Sequence, residues 1–222
     1  MGFLRKCPYL TSIVWPTIVS QETRFITALT ELFEAKALPN LERFLQTGTQ
    51  GINNDLFTRL ILNLPQRINA LTIRLTQTIL EVDFATLIQL HFSNLRVLEL
   101  DWYLETKSSL AQVIMSSCPL LEKLVTPLVD ADVVTEGNPW VCLRLKVLDL
   151  TLCFNSPSTV SHLQPLVFDR LSKLTRLEEL CLRAPVERHN YGTVDLRLEY
   201  GLDKLSTLRL LHSITLCNTY EW

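Results

Sequence analysis

The side chains best equipped for chemistry are spread over the middle of the chain. Glu99, Asp101, Asp149 and Glu179 supply carboxylates, Lys123 and Arg183 supply cations, and Trp102 and Tyr103 set two large aromatics beside the first acids. A pair of carboxylates, here Glu99 with Asp149, is what general acid–base catalysis draws on. Taken with the cations and aromatics, the same acids describe a patch that grips a partner protein, because aromatic anchors dominate the energetics of such interfaces. Four acids against two bases tilt that patch toward a partner with some basic character. An ordinary solvated face, with Trp102 packed on a neighbouring loop, accounts for the same residues.

Other chemistries find less support. His91, His162, His189 and His212 are dispersed without metal-ligand spacing, no Gly-x-Ser-x-Gly occurs, and the glycines at 2, 48, 51, 137, 192 and 201 form no phosphate loop. Asp130, Asp132 and Glu136 fall within a segment, 128–140, that reads as a loop. Calcium loops place more ligands at alternate positions around a fixed glycine, so solvated acids are the better reading. Cys181 lies between Glu179 and Arg183, and a nearby cation lowers a thiol's pKa, which makes it the one thiol worth testing for reactivity, with a plain exposed thiol as the better reading. No cofactor or metal is expected, and Trp15 and Trp140 read as packing residues.

Lysine and arginine number 21 against 23 acids, a net charge of −2, so neither a phosphate backbone nor an anionic membrane is an expected partner. Residues 1–9 carry Arg5 and Lys6 without the apolar run of a signal peptide behind them. Uncharged runs such as 108–121 are too short and too rich in serine to span a bilayer. The expectation is a soluble chain inside the cell, cytoplasmic or nuclear. Six cysteines without a Cys-x-x-Cys pair, and no glycosylation sequon, read as reduced thiols, with a Cys118–Cys142 bridge as the alternative.

What must hold these residues in place is a repeat. An apolar residue followed by apolar residues three and five positions later recurs at Leu95/Leu98/Leu100, Leu145/Leu148/Leu150 and Leu177/Leu180/Leu182. Looser copies start at Leu10, Leu41, Ile68, Leu121 and Leu211, with Gln46 and Thr126 standing where the last apolar residue belongs. The eight starts lie 24 to 34 residues apart. Each core ends in the alternation of a half-buried strand, and the intervals carry helical spacing, as in Phe25, Ile26, Leu29, Leu32 and Phe33, then Phe84, Leu87, Ile88 and Leu90, then Leu110, Val113 and Ile114. Ser156-Pro157 has the form of a cap and first-turn proline opening a helix with Leu163, Leu166, Val167 and Leu171. Cys7, Cys118 and Cys142 all sit three residues before a start, a shared register that reads as core filling.

Strand then helix, about eight times, predicts an α/β fold: a ribonuclease-inhibitor-like leucine-rich-repeat solenoid, a single domain over 1–222, with its parallel strands side by side on a concave face. The ninth position, where that pattern favours Asn or Cys, holds Thr49, Thr76, Cys153 and Thr219. The third, fifth and seventh positions of each repeat then line the open face. In order they are Ser12, Val14, Pro16; Arg43, Leu45, Thr47; Ala70, Thr72, Arg74; Val97, Glu99, Asp101; Lys123, Val125, Pro127; Val147, Asp149, Thr151; Glu179, Cys181, Arg183; and Ser213, Thr215, Cys217. Trp102 and Tyr103 follow the fourth strand at the rim. Eight strands about 4.8 Å apart make a strip on the order of 34 Å long, enough for a protein partner.

Three segments, Asn138–Lys146, Arg170–Glu178 and Asp195–Leu202, together with the Cys-Pro-x-Leu of Cys118–Leu121, resemble modules of the large fungal family of F-box-type leucine-rich-repeat proteins. The resemblance runs from about Leu95 to Trp222. It implies a repeat region that recognises a substrate protein while a separate N-terminal helical F-box docks on a cullin-type ubiquitin ligase. No F-box is read here: Leu64-Pro65 echoes its Leu-Pro start, yet falls between two repeats without the helical pattern that should follow. With repeat cores running from residue 10 to about Cys217, the expectation is part of a longer protein or an array without polar caps, its apolar ends exposed. The functional expectation is a non-enzymatic protein-interaction module serving as a ubiquitin-ligase substrate receptor. A scaffold or regulator unrelated to ubiquitin is the alternative, with an enzyme using Glu99 and Asp149 as the third.

Overall fold

The computed structural model describes residues 4–15, 22–46, 54–75, 88–89, 93–102, 109–183, 194–195 and 197–217. Tyr103, the helix positions Phe84, Leu87 and Leu90, the ninth-position threonines 49, 76 and 219, and the face positions Pro16 and Thr47 lie outside these residues.

Each repeat core contributes one strand: β1 (Ser12–Trp15), β2 (Arg43–Gln46), β3 (Ala70–Leu75), β4 (Val97–Trp102), β5 (Lys123–Asp130), β6 (Val147–Cys153), β7 (Glu179–Arg183) and β8 (Ser213–Cys217). Among the described residues they form one α/β sheet whose strands lie in chain order, every pair parallel. Among the described residues the intervening helices include α1 (Glu22–Glu34), α2 (Asn54–Leu62), α3 (Leu110–Ser117), α4 (Ala131–Glu136) and α5 (Pro157–Leu171), with 3-10 turns at Leu198–Tyr200 and Leu202–Thr207.

Two backbone devices recur at fixed repeat positions and set the register. The first is a turn: the N–H of the first apolar residue donates to the carbonyl three residues earlier, in Leu10 to Cys7, Leu41 to Leu38, Ile68 to Pro65, Leu121 to Cys118, Leu145 to Cys142, Leu177 to Leu174 and Leu211 to Leu208, at 2.8–3.3 Å. The residue that opens the turn is buried in five of these seven, where Cys118 and Cys142 stand in the place of Leu38, Leu174 and Leu208, and half-buried at Cys7 and Pro65. The second is a forked bond. The N–H groups of the second and third repeat positions both donate to the second-position carbonyl of the preceding repeat, as Lys146 and Val147 do to Glu122. That fork appears at all seven junctions, at 2.7–3.3 Å, and locks each strand one step along from the last.

Register then aligns the side chains in rows. Ile13, Phe44, Leu71, Leu98, Leu124, Leu148, Leu180 and Ile214 are successive partners, and all but Ile214 are buried. This row belongs to one core with the inner faces of the helices, Ile26, Leu29 and Leu32 of α1 and Leu110 and Ile114 of α3 among them. Val113, one position off the α3 stripe, is half-buried. In the first two repeats aromatics fill the volume: the Trp15 and Phe25 rings are 5.2 Å apart, and Phe33 meets Phe44 edge-on at 6.1 Å. Gln46 and Thr126, the two departures from the apolar pattern, are buried nonetheless.

Helix α5 opens as Ser156-Pro157 predicts. The Ser156 N–H donates to Thr159 Oγ1 at 3.4 Å, and the Thr159 hydroxyl returns a bond to the Ser156 carbonyl at 2.9 Å, a threonine version of the capping box. Leu163, Val167 and Leu171 are buried, whereas Leu166 is exposed. The buried stripe runs through Val160, Gln164, Val167, Phe168 and Leu171, and Leu166 lies about 200° around the helix from Gln164. At the other edge of the sheet, Ile214 and Leu216 of β8 are exposed, while Ile13 and Trp15 of β1 are buried. Among the described residues no helix is long and apolar enough to cross a membrane.

Candidate protein-interaction surface

Because side chains alternate along a strand, the rows between the buried ones form the opposite, open face. The third-position row is complete across the sheet: Ser12, Arg43, Ala70, Val97, Lys123, Val147, Glu179 and Ser213 are successive register partners. So is the fifth: Val14, Leu45, Thr72, Glu99, Val125, Asp149, Cys181 and Thr215. The seventh departs at β5. A register shift between Thr126 and Leu128 sets Leu128, in place of Pro127, opposite Thr151. Pro127 has no N–H for a sheet bond, which is the physical reason for a bulge at that point.

Of the sequence candidates, Glu99, Lys123, Asp149, Glu179 and Arg183 share this face, and four of them neutralise one another. Lys123 Nζ lies 2.5 Å from Glu99 Oε1, and Thr72 Oγ1 donates to Glu99 Oε2 at 3.2 Å. Arg183 holds Asp149 with two parallel bonds, Nε to Oδ1 at 2.9 Å and Nη2 to Oδ2 at 2.6 Å, and this fork raises the guanidinium's already high pKa. Each pair sets one acid against one base, so the excess of two acids rests on Asp101 and Glu179. Glu179 is exposed and outside both pairs. Asp101 and Trp102 lie in β4, in register with Arg74 and Leu75, so Trp102 closes the strand instead of following it at the rim.

Glu99 and Asp149, the carboxylates an enzyme would use, stand in the same row with Val125 between them, one on β4 and one on β6. Each is already engaged by its own cation. Cys181 is half-buried and is not activated by its neighbouring arginine. Partial burial, and then the charge of Asp149, outweigh Arg183 and push the thiol up to about 11. A rise from 9.0 to about 11 leaves about a hundredfold less thiolate at neutral pH. Iodoacetamide alkylation of Cys181, followed by peptide mass spectrometry, is expected to run slower than a free thiol by about that factor and to accelerate in Asp149→Asn. A rate equal to that of a free thiol and indifferent to Asp149→Asn contradicts this. Cys118 and Cys142 are free thiols, and burial pushes both to about 12.

Two of the acids of 128–140, Asp130 and Asp132, have a structural role, while Glu136 is exposed at the end of α4. Asp130 ends β5 and caps α4, its Oδ1 accepting from the Asp132 N–H at 3.0 Å, and Asp132 Oδ2 accepts from Asn155 Nδ2. No group of three or more metal-ligating side chains is present among the described residues.

The residues that rigidify the face from behind carried no sequence signal. Gln112 of α3 donates to the Asn138 carbonyl at 2.6 Å and accepts from the Trp140 indole N–H at 2.8 Å. Gln164 of α5, fully buried, accepts from the Asp195 N–H at 2.7 Å and donates to the carbonyls of Asp195 at 2.6 Å and Tyr200 at 3.3 Å. Arg170 caps the end of α4 through the carbonyls of Thr135, Gly137 and Asn138 at 2.6–3.0 Å. Each ties a helix to an irregular segment of a neighbouring repeat. Along the sheet's N-terminal edge, Glu122 pairs with Arg96 at 2.6 Å and Lys146 at 3.3 Å, and the Arg96 bond above all holds its carboxyl below the usual glutamate range.

No protein-family model matches the chain, and no curated protein matches it either.

Proposed function

We propose that this chain is a leucine-rich-repeat solenoid that binds a partner protein on the open face of its sheet and performs no catalysis itself. The carrying observation is the face: two uninterrupted rows of outward side chains, one from each of eight parallel strands, held in register by the same forked bond at every junction. A surface of that length, floored by half-buried Val97, Val125 and Val147 and punctuated by fixed ion pairs, suits recognition, where shape and charge must be held in place before the partner arrives. The engaged state of Glu99 and Asp149 favours this reading over acid–base chemistry.

Within it, the resemblance of Cys118–Leu121, Asn138–Lys146, Arg170–Glu178 and Asp195–Leu202 to F-box-type repeats favours the substrate-recognition region of a ubiquitin-ligase receptor, working inside the cell with its thiols reduced. The mechanism is tethering: this chain holds the substrate, and ligase subunits recruited through an F-box supply the chemistry. The test is crosslinking affinity capture with the native chain and a folded Lys123→Glu/Glu179→Lys variant. Partners captured by the native chain, lost with the variant and ubiquitylated in its presence support the reading. Partners common to both chains overturn the placement of the interface, and partners never ubiquitylated leave a scaffold in place of a ligase receptor.

A further inference from the structure

The third-position row carries a charge pattern that its register makes readable. From β2 to β7 it runs Arg43, Ala70, Val97, Lys123, Val147, Glu179. Lys123, in the middle, is neutralised by Glu99 at 2.5 Å. In the adjacent row the Asp149 charge is taken up by Arg183. Arg43 and Glu179 are both exposed and make no ion pair among the described residues, so this stretch, one strand in from Ser12 and from Ser213, is bounded by an open cation on one side and an open anion on the other. Between them Ala70 is buried and Val97 and Val147 are half-buried, a low apolar floor. Five strand spacings of about 4.8 Å separate the two ends, or roughly 24 Å. An extended chain rising about 3.3 Å per residue covers that distance in about seven residues.

We propose that this row binds an extended segment of the partner lying across the strands, with a carboxylate meeting Arg43, a lysine or arginine about seven residues away meeting Glu179, and small apolar residues between. The inference rests on the reading of the face as a recognition surface and adds the class and polarity of what it recognises. Matched charges at the two ends of this stretch set register and direction; the apolar floor supplies contact area. The segment cannot slide by one strand without taking its acid off Arg43 and its base off Glu179 together.

The test is panning of a phage-displayed random dodecamer library against the native chain and against an Arg43→Glu/Glu179→Lys variant whose fold is checked by circular dichroism. Peptides enriched by the native chain are expected to carry an acid and a base about seven residues apart in one preferred order, and the variant is expected to enrich the opposite order. Single Arg43→Gln or Glu179→Gln changes should weaken a native-selected peptide about two- to fivefold. Peptides that lose binding to Val147→Asp, and so occupy this face, but show no acid–base spacing or bind the double variant equally well, overturn the inference and leave the recognition reading standing. Enrichment only of peptides indifferent to Val147→Asp, or of none, overturns both.

Discussion

Leu148→Asp is expected to abolish folding, while Val147→Asp, one residue earlier on the same strand, leaves a cooperatively folded chain. Leu148 is fully buried in register between Leu124 and Leu180. Its replacement forfeits about 1.5–3 kcal/mol of apolar burial. It also sets a carboxylate in the core, at a further cost of several kcal/mol. Together these rival the roughly 5–15 kcal/mol that holds a domain folded. Val147 occupies the open face and is half-buried, so an aspartate there can hydrate, and the cost is expected to stay within about 1–2 kcal/mol. Thermal melts followed by circular dichroism check both variants. Comparable losses from the two substitutions contradict the assignment of faces, because a strand's two-residue period must separate them. Leu98→Asp on β4 is expected to behave as Leu148→Asp does.

Gln164→Leu is expected to release the segment around residues 195–201 without unfolding the sheet. The glutamine is fully buried and serves three backbone groups, the N–H and carbonyl of Asp195 and the carbonyl of Tyr200. Leucine is close in volume, so packing is largely kept and the loss is polar. Buried groups left without partners cost about 1–3 kcal/mol each, and rehydration of the freed segment recovers part of that, giving a net effect of about 2–4 kcal/mol. Because α5 and the following 3-10 turns dock on one another through this residue and through the Lys204 bond to the Pro165 carbonyl at 3.0 Å, the effect should be local. Hydrogen exchange at 195 and 197–201 is expected to accelerate by about 30- to 1000-fold while β4 and β5 are unchanged. Unaltered exchange there overturns the role given to Gln164.

The rows of the sheet were legible in the sequence because they follow from arithmetic on a period. Once Leu95, Leu145 and Leu177 are aligned, the third and fifth positions of all repeats align with them, and the structure pairs those residues in the same order. Even Gln46 and Thr126, polar exceptions to the leucine pattern, occupy the buried row, since backbone register overrides a single side chain's preference. The site was legible only in part. Sequence spacing places Glu99 and Lys123 on neighbouring strands, but that they form a pair depends on side-chain reach across a diagonal, which no periodicity encodes. Composition suggested an acidic patch; geometry pairs Glu99 with Lys123 and Asp149 with Arg183, and leaves Arg43 and Glu179 open.

Gln112, Gln164 and Arg170 were invisible for a different reason. Their partners, backbone groups and for Gln112 also the Trp140 indole, lie 26 to 36 residues away, and any donor of the right length satisfies a carbonyl. Cys181 misled because a flanking arginine in sequence suggests a lowered thiol pKa. Burial and Asp149, 32 residues away in the chain but opposite it in register, act in the other direction. The bulge at Pro127 shows the limit of counting: one residue without an N–H displaces the row beyond it.

Native-state hydrogen exchange, resolved to single amides, tests the repeat register on which every statement about the face depends. The forked bonds predict that seven adjacent pairs of amides, at 42/43, 69/70, 96/97, 122/123, 146/147, 178/179 and 212/213, exchange more slowly than the exposed turns before them, with the slowest pairs in the interior strands β4 to β6. Protection that ignores these positions, or pairs displaced by one residue from one repeat to the next, contradicts the account.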